Sequence, residues 1–225
     1  MLTENLRRVT EQIGRAAENA GRQAADVRLV AVSKTVSEDA VREALALGQT
    51  AFGENRVQEL ERKAELLPAT VEWHMIGHLQ ANKARPVVTR AAWIHSIDSV
   101  KLMHRVGRIA EEEGVRPHVL VQVNITGEES KAGVAPDEAE AVVAAALSHP
   151  SLTCSGLMTM APADLPTPQL REAFACLRNL RDRLETLCGT PLPELSMGMS
   201  GDFAEAIAEG ATLVRVGTAV FGARN

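Results

Sequence analysis

The chain of 225 residues contains no tyrosine, and its aromatic side chains are limited to four phenylalanines and two tryptophans. Any step that requires a tyrosine hydroxyl therefore cannot be supplied by this chain alone. No apolar run is long enough to cross a bilayer. The first segment, MLTENLRRVTEQIGRAAENAG, lacks the apolar core of a signal peptide. We therefore expect a cytoplasmic protein that does not associate with membranes.

Paired cysteines and excess basic charge are also missing. Cys154, Cys176 and Cys188 are an odd number without a paired motif, so we expect reduced, buried thiols. The net charge of −5 argues against a broad nucleic-acid surface, which needs clustered basic residues. It does not exclude a small anionic ligand, because a local pocket can be positive on an acidic protein.

Short apolar segments alternate with amphipathic helical segments along the chain. Ser37 and Ser99 predict helix N-caps, and Pro136 predicts the first turn of a helix that reaches Leu147. The predicted strands, of which the second and seventh have the weakest patterns, are Val27–Val32, Thr50–Gly53, Val71–Ile76, Ala92–Ile97, Val119–Val123, Leu152–Met158, Glu194–Met197 and Thr212–Val216.

This alternation predicts an α/β fold in which parallel strands are joined by crossover helices. Eight strands favour a closed, modified TIM (β/α)8 barrel over an open doubly wound sheet. An extra helix, with Leu6, Val9 and Ile13 on one face, precedes the first strand. No linker-like stretch divides the chain, so residues 1–225 are predicted to form a single domain.

Lys34 directly follows the first apolar strand, and barrels of this type build their active face from the strand C-terminal ends. A lysine amine beside apolar walls or other cations loses basicity and can attack a carbonyl carbon. A lysine that extends to the solvent at the rim would give the same pattern. Position alone therefore leaves both interpretations open.

The ends of the last two strands carry small residues and hydroxyl groups. Ser196 and Ser200 precede a helix that starts near Phe203, and Gly217 and Thr218 follow the eighth strand. Barrels often bind phosphate at this position, where helix N-termini present backbone N–H groups. Ordinary turn chemistry is the alternative for either loop.

Other strand-end residues are polar as well. Arg215 lies within the apolar strand TLVRVG, and a buried arginine needs a partner such as a ring nitrogen or a carboxylate. Asn55 could contact a ligand hydroxyl or serve as a turn residue. His74 and His78 do not share a face of a strand, so we predict no metal site. Lys83 and Lys131 are weaker candidates for positive charge at the barrel mouth, and Asp202 is expected to cap a helix.

Taken together, these segments resemble the pyridoxal phosphate homeostasis proteins, which are relatives of the barrel domain of bacterial alanine racemase. The resemblance spans residues 29 to 222 and rests on the motifs LVAVSKT, FGENRVQE, WHMIGHLQANK, HSIDS, GLMTMAP and LSMGMSGDFAEAIAEGATLVRVGTAVFG. It implies a modified TIM barrel that binds pyridoxal 5'-phosphate (PLP) and lacks the second domain of the racemase.

The resemblance also assigns roles to residues. It implies that Lys34 forms a Schiff base with PLP and that Arg215 faces the pyridine nitrogen. Ser200, Gly217 and Thr218, helped by Ser196, would hold the phosphate, and Asn55 and Met160 match positions that line the cofactor. Two departures are Val36, where some members carry a second lysine, and the end at Asn225, where some carry a lysine-rich tail. Both departures weaken the case for a second PLP site.

Three functions are compatible with these residues. Arginine at the ring nitrogen disfavours protonation of the pyridine, which weakens the cofactor as an electron sink. Racemisation in the related enzymes also uses a tyrosine from the domain that is missing here. We therefore favour a non-catalytic, monomeric protein that buffers PLP or delivers it to apo-enzymes. The alternatives are a racemase-like PLP enzyme of low activity and an enzyme that uses Lys34 on another carbonyl substrate.

Overall fold

A computed structural model describes residues 1–128, 132–162 and 165–222 of the chain. Its strands are β1 Arg28–Val32, β2 Ala51–Glu54, β3 Glu72–Met75, β4 Trp93–Ile97, β5 His118–Gln122, β6 Thr153–Met158, β7 Glu194–Ser196 and β8 Leu213–Val216. Its α-helices are α1 Leu2–Asn19, α2 Glu38–Ala46, α3 Val57–Leu66, α4 Ala84–Val88, α5 Val100–Glu113, α6 Ala139–Leu147, α7 Thr167–Cys188, α8 Phe203–Ala208 and α9 Thr218–Phe221.

The strands form a closed barrel in the order β1 to β8, and every neighbouring pair is parallel. Closure occurs between β1 and β8, where Arg28 pairs with Leu213 and Ala31 pairs with Val216. The helix α1 precedes β1 and packs on α8 and α9, where the Asn5 side chain donates to the Val220 carbonyl at 3.2 Å. The predicted modified TIM barrel with an extra N-terminal helix is therefore confirmed.

Local signals explain where several helices begin. The Ser37 hydroxyl accepts a hydrogen bond from the Ala40 N–H at 3.4 Å, and the Ser99 hydroxyl accepts one from Leu102 at 3.2 Å. The prediction for Pro136 is wrong, because α6 begins at Ala139. There the Glu138 carboxylate accepts from the Ala135 N–H at 3.0 Å and the Glu138 N–H bonds to the Ala135 carbonyl, which holds the preceding residues in a turn.

The core has two parts. A large apolar layer fills the space between the strands and the surrounding helices. A smaller cluster occupies the barrel interior and consists of Val30, Trp93, Leu120, Met158 and Leu213. Alternate residues of a barrel strand face inward, so Arg215 points into the same interior as Leu213. The interior also holds buried polar side chains, among them His74, His95, Ser196 and Arg215.

The three cysteines differ in their exposure to solvent. All three cysteines are free thiols, but the expectation that they are buried is wrong: Cys154 and Cys188 are only partly buried, and Cys176 is exposed on the outer face of α7. Burial raises the pKa of the Cys154 thiol to about 12, so this thiol stays protonated at neutral pH.

Within the described part of the chain, no helix is both long and apolar enough to cross a membrane.

Candidate functional site

The segment after β1 places Lys34 on a strained turn. Lys34 is half-buried, and the next residue, Thr35, has a φ of 63°. Within the described ranges, Thr35 is the one residue other than glycine with a positive φ. A β-branched residue is a genuine outlier in this region, and such strain is found mainly at functional sites. The fold therefore holds the backbone beside Lys34 in a conformation that an unconstrained chain would avoid.

A buried ion pair underlies this turn. The Lys63 ammonium of α3 donates to the Ser33 carbonyl at 2.6 Å and to Glu54 Oε1 at 2.7 Å. The Ser33 hydroxyl donates to the same carboxylate oxygen at 2.7 Å. Glu54 and Lys63 are both fully buried. Burial raises the pKa of Glu54, while the bonds from Lys63 and Ser33 oppose that shift.

A second carboxylate fixes the other side of the turn. Glu59 Oε2 accepts a hydrogen bond from the Thr35 N–H at 2.9 Å and lies 3.9 Å from the Lys63 ammonium. Burial alone would raise the pKa of Glu59, but the Thr35 N–H, Glu54 and the nearby cations lower it overall. The residues on both sides of Lys34 are therefore anchored to charged groups of β2 and α3.

Arg215 is 4% exposed and lies in the barrel interior. Its Nη1 donates to the Ser196 hydroxyl at 2.7 Å, and its Nη2 donates to the Thr159 carbonyl at 2.9 Å. Burial lowers the pKa of Arg215 to about 10, which keeps the guanidinium charged at neutral pH. Each described bond uses one of five N–H donors, so the group retains capacity for a ligand.

The structure brings Asn55 and Met160 to the same end of the barrel. Asn55 is half-buried directly after β2, and Met160 is 39% exposed directly after Thr159. The Asn55 backbone lies against Gly77, where an added Cβ would stand 2.1 Å from the Asn55 carbonyl oxygen. This contact requires glycine at position 77 and fixes the chain that carries Asn55.

The proposed phosphate residues occupy two adjacent loops. Gly217 packs on the end of β1, where an added Cβ would lie 3.3 Å from the Val32 carbonyl oxygen. Thr218 is exposed and begins α9, and Ser200 is half-exposed before α8. Asp202 does stand at the N-cap of α8, as expected, but its carboxylate accepts from the Met199 N–H at 2.5 Å and makes no side-chain bond within that helix.

Ser196 has contacts that differ from those of the loop residues. It is fully buried at the end of β7, and its hydroxyl bonds to Arg215 and to His95 Nδ1 at 2.8 Å. These contacts place it beneath the guanidinium group.

His74 and His78, the two histidines considered as metal ligands, lie apart from one another. His74 is fully buried, whereas His78 is exposed and lies 3.1 Å from Asp98.

No group of three histidine, cysteine, aspartate or glutamate side chains is arranged for a metal ion in the described ranges. Lys83 ends a short 3-10 turn, and Val36 packs against the large apolar layer. Lys131 and Asn225 lie outside the described residues. A cavity of about 610 Å³ lies on the outer wall between α1, β1 and the end of α2, and it contains none of the strand-end side chains named above.

Sequence reasoning missed the buried charges that support the turn. Lys63 lies on the apolar stripe of α3, in line with Val57 and Leu60, and a lysine on such a stripe signals a buried partner. Glu54 similarly ends a strand whose other residues are apolar or glycine. Both signals were present in the sequence, but the pairing between the two residues depends on how α3 packs on β2.

The fold is that of one class of barrel, since the family model of the alanine racemase N-terminal domain matches residues 5–225. A pyridoxal phosphate homeostasis protein from Pseudomonas aeruginosa is 44% identical over 226 residues, covering 100% of this chain and 96% of the relative. One from Aquifex aeolicus is 42% identical over 222 residues, covering 98% and 97%.

A solved structure agrees with these relatives. PipY of Synechococcus elongatus PCC7942, with PLP bound, is 40% identical, has a TM-score of 0.87 and matches 99% of this chain and 100% of its own. The chain therefore belongs to the pyridoxal phosphate homeostasis proteins, the family that its sequence motifs resemble.

Proposed function

We propose that this protein binds PLP at the barrel mouth, holds it on Lys34 as a Schiff base, and maintains the intracellular supply of the cofactor. The observation that carries this proposal is the arrangement around Lys34. A half-buried lysine stands beside a strained threonine, and its flanking residues are anchored to Glu54, Lys63 and Glu59. A lysine that only reaches solvent would not need such a support.

Arg215 and the loops after β7 and β8 are suited to the rest of the cofactor. We infer that the Arg215 guanidinium donates to the pyridine nitrogen and that Ser200, Gly217 and Thr218 hold the phosphate. Asn55 and Met160 would contact the ring and its substituents. Ser196 would act through Arg215, because its hydroxyl is engaged beneath that guanidinium. PLP, when bound, supplies an aldehyde that is stored covalently.

We further propose that the protein buffers or delivers PLP rather than catalysing a reaction. An arginine that is charged at neutral pH disfavours protonation of the ring nitrogen, so the ring is a weak electron sink. The chain also has no tyrosine to act as a second base in racemisation. In this proposal residues 1–225 are one PLP-binding domain that works as a cytoplasmic monomer and transfers cofactor to apo-forms of PLP enzymes.

An absorption spectrum tests the proposal. The protein mixed with PLP is expected to gain a visible band that persists after dialysis and is absent in Lys34→Ala. Arg215→Glu is expected to shift that band, because a carboxylate would favour the protonated ring. A protein that stays colourless with PLP would refute the proposal. Sustained turnover of D- or L-alanine that is lost in Lys34→Ala would favour the racemase-like alternative.

A further inference from the structure

A continuous row of polar side chains crosses the barrel interior. Arg215 Nη1 donates to the Ser196 hydroxyl at 2.7 Å, which lies 2.8 Å from His95 Nδ1. His95 Nε2 lies 2.9 Å from His74 Nδ1, and His74 Nε2 lies 2.9 Å from Glu72 Oε1. The three middle side chains, Ser196, His95 and His74, are fully buried. Four hydrogen bonds therefore join the cation near the mouth to a carboxylate at the start of β3.

The chemistry of the two ends fixes the direction of every bond in this row. Arginine can only donate, so Ser196 accepts from it and its own hydrogen points to His95 Nδ1. Neutral His95 then carries its hydrogen on Nε2 and donates to His74. His74 likewise donates from Nε2 to the carboxylate of Glu72, which can only accept. Burial lowers the pKa of both histidines, which favours these neutral forms.

The two ends differ in their access to solvent. Glu72 is 34% exposed in its side chain and also accepts from Arg28 Nη1 at 2.7 Å. Arg215 is almost fully buried; the Asp202 carboxylate acts on its charge, but no described residue forms an ion pair with it within 4.0 Å. A buried cation without a directly bonded counter-ion is costly, and aligned hydrogen bonds in a low-dielectric interior polarise one another. The row of hydrogen bonds therefore connects the Arg215 guanidinium to the Glu72 carboxylate.

We propose that Glu72, His74, His95 and Ser196 form a relay of positioning residues that orients the Arg215 guanidinium toward an aromatic nitrogen acceptor. The relay deepens the proposed function and rests on it where the ligand is PLP. His74 and His95 touch no ligand. They act through Ser196, which leaves the remaining Arg215 donors pointing into the mouth. A substitution of Glu72, at the far end of the barrel, then changes how Arg215 is oriented toward the cofactor ring.

The first test needs no cofactor. Nitrogen-15 NMR of the histidine rings is expected to show both His74 and His95 neutral, with the hydrogen on Nε2. The Arg215 guanidinium is expected to rotate slowly in the wild type and faster in His95→Phe. A hydrogen on Nδ1 of either histidine, or unchanged rotation in His95→Phe, would overturn the relay. These outcomes are independent of PLP, so they stand even if the proposed function fails.

The second test uses the protein loaded with PLP. His95→Phe is expected to shift the absorption band and to speed PLP release about tenfold, the factor that corresponds to about 1.4 kcal/mol. His118→Phe is the control, since the His118 ring also contacts Trp93, stacked on it where His95 meets it edge-on, but bonds to Ser155 outside the relay. Equal spectra and release rates in these two variants would refute the coupling.

A variant at the exposed end provides a measurement that does not depend on a core substitution. Glu72→Gln is expected to shift the band in the same direction as His95→Phe, by a smaller amount. Glu194→Gln is its control, because Glu194 is also the first residue of a strand but accepts from the Thr212 hydroxyl at 2.5 Å. A Glu72→Gln spectrum identical to that of Glu194→Gln would count against the relay.

Discussion

The Lys63 ammonium lies 2.6 Å from the carbonyl oxygen of Ser33, the residue directly before Lys34. The same ammonium is paired with Glu54, whose carboxylate also accepts from the Ser33 hydroxyl. One buried ion pair therefore holds both the backbone and the side chain of Ser33. The position of Lys34 is consequently set by β2 and α3, and not by β1 alone.

Lys63→Met should destabilise the protein strongly. The substitution leaves the Glu54 carboxylate buried without its cation, and breaking a buried pair in this way costs about 3–5 kcal/mol. Urea denaturation of the variant measures this loss. Lys101→Met is the control, because Lys101 is exposed on α5 and its replacement should change stability little. A loss for Lys63→Met that matched the Lys101→Met value would mean that the pair does not support the turn.

Gly77→Ala should disturb the chain that carries Asn55. The new Cβ would stand 2.1 Å from the Asn55 carbonyl oxygen and 2.7 Å from its Cα, so the two backbone segments must separate. We expect a stability loss of about 1–3 kcal/mol, the usual range for overpacking, together with weaker PLP retention. Gly14→Ala is the comparison, since its Cβ would meet Ala24 at an ordinary 3.7 Å. Equal behaviour of the two variants would contradict the predicted clash.

The free energy of unfolding should fall as the pH drops from about 7.5 to 5.5. Burial lowers the pKa of His74, His95 and His118 in the folded state, whereas an unfolded histidine titrates near pH 6.5. Between the two pKa values the unfolded chain binds more protons, so acid favours unfolding. Urea midpoints at three pH values measure this effect. Glu54, whose folded-state pKa burial raises, acts in the opposite direction, so stability that is constant or rises on acidification would mean that the three histidines do not outweigh it.

Much of the fold followed from the sequence because each strand and helix has a local signature. The weak patterns at Thr50–Gly53 and Glu194–Met197 corresponded to β2 and β7, although the structure shifts their bounds to Ala51–Glu54 and Glu194–Ser196. The short helices α4 and α9 were not predicted, since four or five residues give too little periodicity to detect. The prediction that a helix begins at Pro136 failed because proline is accepted equally well in a β-turn and in the first turn of a helix.

The site was less accessible to sequence reasoning. Lys34, Gly217 and Thr218 could be selected because they follow a strand, and Arg215 because it interrupts an apolar run. The row from Glu72 to Ser196 could not be predicted in the same way. It joins strands β3, β4 and β7, and contacts between β4 and β7 exist only once the barrel has closed.

The attachment of PLP to Lys34 is tested most directly by chemical reduction. The protein is mixed with PLP, treated with borohydride, digested and analysed by peptide mass spectrometry, with Lys34→Ala treated in parallel. Our account predicts that the pyridoxyl label lies on Lys34 in the wild type and is lost in Lys34→Ala. A label on Lys83 or Lys131, or a label that persists in Lys34→Ala at the same level, would contradict it.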